Sequence, residues 1–179
     1  MTVACCHNDS MLPFPIDALL SPSPRPDLPG AAAFAPLIGS WDLLVTDVAD
    51  DGSSTVRDGE WHFAWALDGR AVIDVWISPS RAGRSRDDDG EWGLSVRFPD
   101  PTTGRWRSTW HGPARGWLIP FEAVVDGGSP VLTSELDGTT RRWIFSHVTP
   151  TGFQWRAEES VDGQPFRVRQ RFMATRPGD

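Results

Sequence analysis

The sequence contains no lysine and no tyrosine, and all 17 of its basic side chains are arginine. Without lysine the chain has neither a Schiff-base amine nor the lysine of a phosphate-binding loop. Cysteine is nearly absent too, and the only two are neighbours, Cys5-Cys6. Adjacent cysteines cannot staple a fold, so this is no disulfide scaffold. Cys5-Cys6-His7 reads as an uninvolved tail rather than a metal site, and no metal or other cofactor is expected. No hydrophobic run approaches a membrane span, and Pro13 and Pro15 interrupt the one apolar patch near the N-terminus, which has no signal-peptide pattern. Positive charge is also scarce. The formal net charge of −7 disfavours nucleic acid and anionic membrane as partners. A cytoplasmic chain follows, as monomer or homodimer.

What the chain has in excess is indole: ten Trp and nine Phe among 179 residues. Wide aromatic side chains suit a barrel interior and the walls around a flat, apolar ligand. Residues 1–33 are proline-rich and read as a tail with room for one helical turn at Ile16–Leu20. Its apolar residues Met11, Leu12, Phe14, Ile16, Leu19 and Leu20 also allow a lid over an opening in the domain. Residues 34–176 form one β domain, and 177–179 a C-terminal tail.

Strands are expected at Ser40–Val48, Thr55–Leu67, Arg70–Ser78, Glu91–Phe98, Arg105–His111, Trp117–Val125, Val131–Leu136, Thr139–Val148, Phe153–Ser160 and Phe166–Thr175. Short turns such as Asp51-Gly52, Asp68-Gly69, Asp137-Gly138 and Asp162-Gly163 make sequence neighbours spatial neighbours. The fold class is therefore all-β, an up-and-down antiparallel barrel of about ten strands, closed because a flat sheet of that width would keep two exposed edges. The charged loop Pro79–Gly90 is expected to be a mobile rim loop with loosely paired charges.

Turn positions fix three registers. A two-residue turn at Asp68-Gly69 sets Leu67 opposite Arg70, Trp65 opposite Val72, Phe63 opposite Asp74 and Trp61 opposite Trp76. Alternation then puts Trp61, Phe63, Trp65, Val72, Asp74 and Trp76 on one face. Around Asp137-Gly138, Leu132 meets Trp143 and Ser134 meets Arg141. Around Asp162-Gly163, the expected pairs are Phe153 with Phe172, Trp155 with Gln170, Ala157 with Val168 and Glu159 with Phe166; an outer ion pair joins Glu158 to Arg167.

Gly39-Ser40-Trp41 opens the first strand, and Arg171 or Arg176 lies near the end of the last. These residues resemble the Gly-X-Trp opening and late arginine of lipocalins and other calycins, where the arginine packs across the tryptophan at the closed end. The stretches Gly59–Trp76, Trp106–Trp110 and Trp143–Glu159 are similar to bacterial lipocalin-like proteins. The resemblance covers about residues 34–176 and implies a calycin-type barrel without implying an activity. Nitrobindin-like haem barrels also open with Gly-X-Trp, but carry an iron-ligating histidine on a late strand. Here the last two strands contain no histidine, and only His147, one strand earlier, could serve.

If the aromatic faces point inward, the ligand-binding residues are Trp41, Trp61, Phe63, Trp65, Trp76, Trp110, Arg141, Trp143, Phe145, Trp155 and Gln170. Three polar groups among them are candidates for proton transfer: Asp74 first, then Glu159, with His147 as partner. A carboxylate among indoles is destabilised as an anion unless arginine or indole N–H supports it, and can then exchange protons with a ligand. Structural hydrogen bonding to indole N–H is the competing role for Asp74. The function that follows first is a cofactor-independent cyclase or isomerase acting on a small hydrophobic or aromatic metabolite. A passive carrier or sensor with the same pocket is the alternative, and a haem protein the third reading. Arg105-Trp106-Arg107 cannot form a nucleic-acid platform, because alternation separates the ring from the charges.

Overall fold

A computed structural model describes residues 16–85, 90–126 and 128–178 of the chain. Eleven strands form one antiparallel sheet: β1 (Leu20–Ser21), β2 (Gly39–Val48), β3 (Ser54–Ala66), β4 (Ala71–Ser78), β5 (Glu91–Pro99), β6 (Trp106–Gly112), β7 (Trp117–Asp126), β8 (Ser129–Leu136), β9 (Thr139–Ser146), β10 (Gly152–Val161) and β11 (Arg167–Thr175). Strands β2 to β11 follow one another around a closed barrel, with β11 returning to β2. Closure satisfies both edges of the ten-strand meander, as expected from its tight turns.

Aromatic side chains face inward because each strand alternates. In β3, Trp61, Phe63 and Trp65 are buried while Glu60, His62 and Ala64 are only half-buried. Pairs Trp61 with Trp76, Phe63 with Asp74 and Trp65 with Val72 follow the expected register, as do Leu132 with Trp143 and Ser134 with Arg141. The turn between β3 and β4 is longer than two residues, however. Ala66 with Ala71 is the last pair, and Leu67, Asp68 and Gly69 all take left-handed backbone. Leu67 leaves the ladder because its N–H donates to Leu19 O at 2.9 Å instead. Gly69 is required there, since a Cβ would strike the backbone of Ser23–Arg25, which crosses the hairpin tip.

The Asp162-Gly163 register also differs from expectation. Trp155 pairs with Phe172, Phe153 with Ala174, Ala157 with Gln170 and Glu158 with Val168. Two one-residue changes make the shift: the turn is one residue longer than expected, so Glu159 meets Arg167, and a bulge adds Arg169, so Arg169 and Gln170 both reach the same end of the interior. Glu158 meets Arg142 and Arg156 instead of Arg167.

One barrel end is sealed. α2 (Ala31–Phe34) and a 3-10 turn (Ala35–Leu37) bury Phe34 and Leu37 completely, with Phe34 against Trp106 at 4.3 Å between ring centroids. The Arg176 guanidinium lies 3.5 Å over the Trp41 ring, whose N–H donates to Leu37 O at 2.7 Å. Arg176 is therefore the late arginine of the Gly-X-Trp pattern, and it also donates to the carbonyls of Pro36, Ile38, Ser40 and Pro150. β1, which follows α1 (Ile16–Leu19), pairs with the last residues of β3 at this same end. Leu19 and Leu20 thus lie at the base of the barrel, away from the cavity described below, with Leu20 exposed. Cys5, Cys6, His7, Met11, Leu12 and Phe14 lie outside the described residues.

The loop after β4 is anchored more firmly than its charges suggested. Arg81 donates to Glu60 through its backbone N–H at 2.6 Å, Nε at 3.0 Å and Nη2 at 2.8 Å. Arg86 and Asp87-Asp88-Asp89 lie outside the described residues.

Candidate functional site

The half of the barrel opposite the sealed end holds a cavity of about 180 Å³. Its inner wall is aromatic, formed by Trp61, Trp76, Trp110, Trp143, Trp155 and Phe172 with Ile119 and Ala157. Asp47, Glu91, Arg115, Trp117, Arg141, Glu159, Arg169 and Gln170 surround its mouth. Strand ends explain the division. Asp47 lies next to the end of β2, Glu91 opens β5, Arg141 and Arg169 are the third residues of β9 and β11, and Arg115 ends a 3-10 turn (Pro113–Arg115) between β6 and β7.

The rings form a connected stack. Trp155 lies flat on Phe172 at 4.3 Å between centroids and 15° between planes, and Trp76 is near-parallel to the same Phe172 at 5.8 Å. Trp143 meets Trp110 and Trp155 edge-on, each at 5.5 Å. Room for Trp110 comes from Gly93, where any Cβ would fall within the Trp110 ring. Edge-to-face and offset contacts of this kind hold flat walls rigidly.

Asp74 is buried but stands beneath the cavity wall rather than on it. Trp61 links the two levels: its ring lines the cavity and its N–H donates to Asp74 Oδ1 at 2.6 Å. The other oxygen of Asp74 accepts from Arg97, whose Nη2 also donates to Ser95 Oγ at 3.2 Å. Burial pushes the Arg97 guanidinium down to about 9, which leaves it cationic at neutral pH. The solitary carboxylate expected from sequence is thus half of an internal ion pair. Arg97 was missed because the long loop before β5 does not set a register, though alternation from Gly93 through Ser95 does point it inward. The diagonal from Asp74, past its direct partner Ser95, reaches Arg97.

Of the other candidates, Trp61, Trp76, Trp110, Arg141, Trp143, Trp155, Gln170 and Glu159 line the cavity together. Glu159 accepts from Arg141 at 3.1 Å and is bridged by Arg169 at 3.3 Å. Trp41, Phe63, Trp65 and Phe145 are buried elsewhere in the core and do not reach the cavity. His147 is exposed, in left-handed backbone past the end of β9 at the sealed end, so it is not an interior group. Its strand ends one residue earlier, at Ser146, and alternation no longer directs the ring inward. Arg115, Trp117 and Arg169 were not foreseen. The first two belong to a turn and a strand start without a legible face, and the bulge hid the third.

Arg105 and Arg107 lie outside, held by Glu122 and Asp100, while Trp106 is buried. Among the described residues, no helix is long and apolar enough to cross a membrane.

No family model matches this sequence, and no curated protein is similar to it. Among solved structures, the S-type phycobiliprotein lyase CPES from Guillardia theta is similar in shape, with a TM-score of 0.56 at 12% identity over 82% of this chain and 91% of that one. The fold is that of a calycin-type barrel. At this identity the likeness is one of architecture, and the ligand has to be argued from this chain's own wall.

Proposed function

We propose that this barrel binds a small, ring-shaped, largely apolar molecule and carries or senses it. The observation behind this reading is the aromatic cavity at one end of a barrel whose other end is plugged by Phe34, Leu37 and the Trp41–Arg176 contact. A void of about 150 Å³ with apolar walls accommodates benzene, so about 180 Å³ suits a molecule of roughly one to two fused rings. The similar barrel of a phycobiliprotein lyase fits a small-ligand role for this architecture.

A cyclase or isomerase needs a proton-transferring group against its substrate. Asp74 sits under the wall and is engaged by Arg97 and Trp61, so that second reading now rests on Glu159, the one originally favoured carboxylate that lines the cavity. The haem reading has less support: among the described residues, His147 is exposed at the far end and no histidine lines the cavity.

Native mass spectrometry of gently purified protein tests the binding reading when paired with Ala157→Leu, which fills the cavity without removing a ring. The expected result is a small molecule retained by the wild type and lost from the variant. An equally loaded variant, or a wild type that takes up no aromatic compound under titration, overturns it.

A further inference from the structure

We propose that the cavity selects an uncharged ring compound whose oxygen acceptors are taken by the indole N–H groups of Trp76 and Trp155. This rests on the binding reading above and adds the chemistry of the ligand.

Charge is the first argument. Three cations and three anions face the cavity, and among the described residues each is already engaged. Arg115 donates to both oxygens of Glu91 at 3.0 and 3.2 Å. Arg141 and Arg169 share Glu159. Asp47 is met by Arg57 at 3.2 Å and by the Gln170 amide at 2.6 Å. An entering carboxylate or phosphate therefore has to break an existing pair or be buried without a counterion, and an ammonium faces the mirror-image cost. A neutral molecule meets neither penalty.

The second argument comes from the donors. Three other buried indoles have acceptors: Trp41 uses Leu37 O, Trp61 uses Asp74 and Trp106 uses Pro29 O. Trp76 and Trp155 are 4% and 5% exposed, and the N–H of each lacks any partner. Both of these unsatisfied indoles line the cavity. A buried donor without an acceptor is costly, and the cost is relieved if a bound molecule brings the acceptor. Both rings are stacked on Phe172, so the two donors belong to one rigid unit. Neutral donors on a flat apolar wall match fused-ring ketones, lactones and quinones better than acids or amines.

Three probes of similar ring size separate the possibilities: 1-tetralone (a neutral ketone), tetralin (the same rings without oxygen) and 1-naphthoate (an anion). Each is titrated into the full chain by calorimetry, with indole N–H signals followed by ¹H–¹⁵N NMR. The ketone is expected to bind about tenfold tighter than either other probe, with the signals of Trp76 and Trp155 shifting most. Trp76→Phe and Trp155→Phe keep an aromatic ring but remove the donor, and should bring the ketone-to-tetralin ratio toward one. Naphthoate binding as tightly as the ketone overturns the proposal. So does a ketone advantage that survives both substitutions, or ketone binding that leaves both indole signals unmoved in the wild type, a readout that needs no variant to fold. If tetralin and the ketone both fail to bind, the binding reading itself falls, and this proposal with it.

Discussion

Arg97 and Asp74 form an ion pair from which solvent is excluded, with neither side chain exposed at all. The pair sits among rings: Trp61 donates to Asp74, and the Arg97 guanidinium lies 5.8 Å from the Phe63 centroid. Removing one partner strands the other charge in the core. Arg97→Met is therefore expected to cost about 3–5 kcal/mol in urea unfolding. Asp74→Asn/Arg97→Met removes both charges while Asn can still accept the Trp61 N–H, and should recover much of that loss. Equal losses in the single and double variants would show that packing, not charge, governs this site.

The base of the barrel makes a second prediction. Arg176 combines a 3.5 Å contact over Trp41 with donation to four backbone carbonyls. Arg176→Ala is expected to lower stability by about 2–4 kcal/mol, since the stacking and the carbonyl capping are lost together. Arg176→Lys should restore only part of this, because an ammonium has three donors against five and no flat face to lie on the indole. Thermal unfolding of the three proteins checks the order.

Glu60 provides a pH-dependent test away from the cavity. Hydrogen bonds from Arg81 are the main reason its carboxyl is held down at about 2, with His62 adding a smaller push. A carboxylate with a depressed folded pKa stabilises the protein above its ordinary pKa and loses that contribution as pH falls through the folded value. The contribution is thus complete above about pH 4.5 and fades toward pH 2. Arg81 is 59% exposed, so solvent screening limits the gain to about 1 kcal/mol at most. Glu60→Gln should lie below the wild type by that amount at pH 6 and meet it near pH 2 in denaturant titrations. A gap that persists unchanged to pH 2 would mean that the loop anchor does not depend on the charge.

These residues also show what a one-dimensional pattern can and cannot reveal. Trp61, Phe63 and Asp74 could be placed together because a turn lies close by and alternation does the rest. Arg97 could not, since the loop before β5 is too long to fix a register by counting. Around β10 and β11 the difference is one of register: a turn one residue longer and the extra residue at Arg169 together displace Trp155 from Gln170 to Phe172 while leaving both inward. Alternation survives a two-residue slip, so the list of inward rings was better than the list of pairs. Which inward rings meet empty space is a packing question, and Trp65 and Phe145 answer it differently from Trp76 and Trp155.

Gly93 is where packing and function meet most directly. It faces Trp76 across the strand pair, and its missing side chain is the space occupied by the outer edge of the Trp110 ring. Gly93→Ala puts a methyl group there, so Trp110 has to rotate, and the direction open to it is the cavity it lines. Overpacking of this kind costs about 1–3 kcal/mol. The larger expected effect is on binding: a ring pushed into about 180 Å³ removes much of the space for a ligand. Affinity for 1-tetralone should fall at least about tenfold while the protein stays folded, because one kilocalorie-scale strain leaves the ten-strand closure intact. Calorimetry and urea unfolding on the same preparation separate the two effects. Unchanged affinity in a folded Gly93→Ala protein would mean that the ligand does not occupy the space beside Trp110, and the cavity would then have to be assigned to the Trp143–Trp155 side alone.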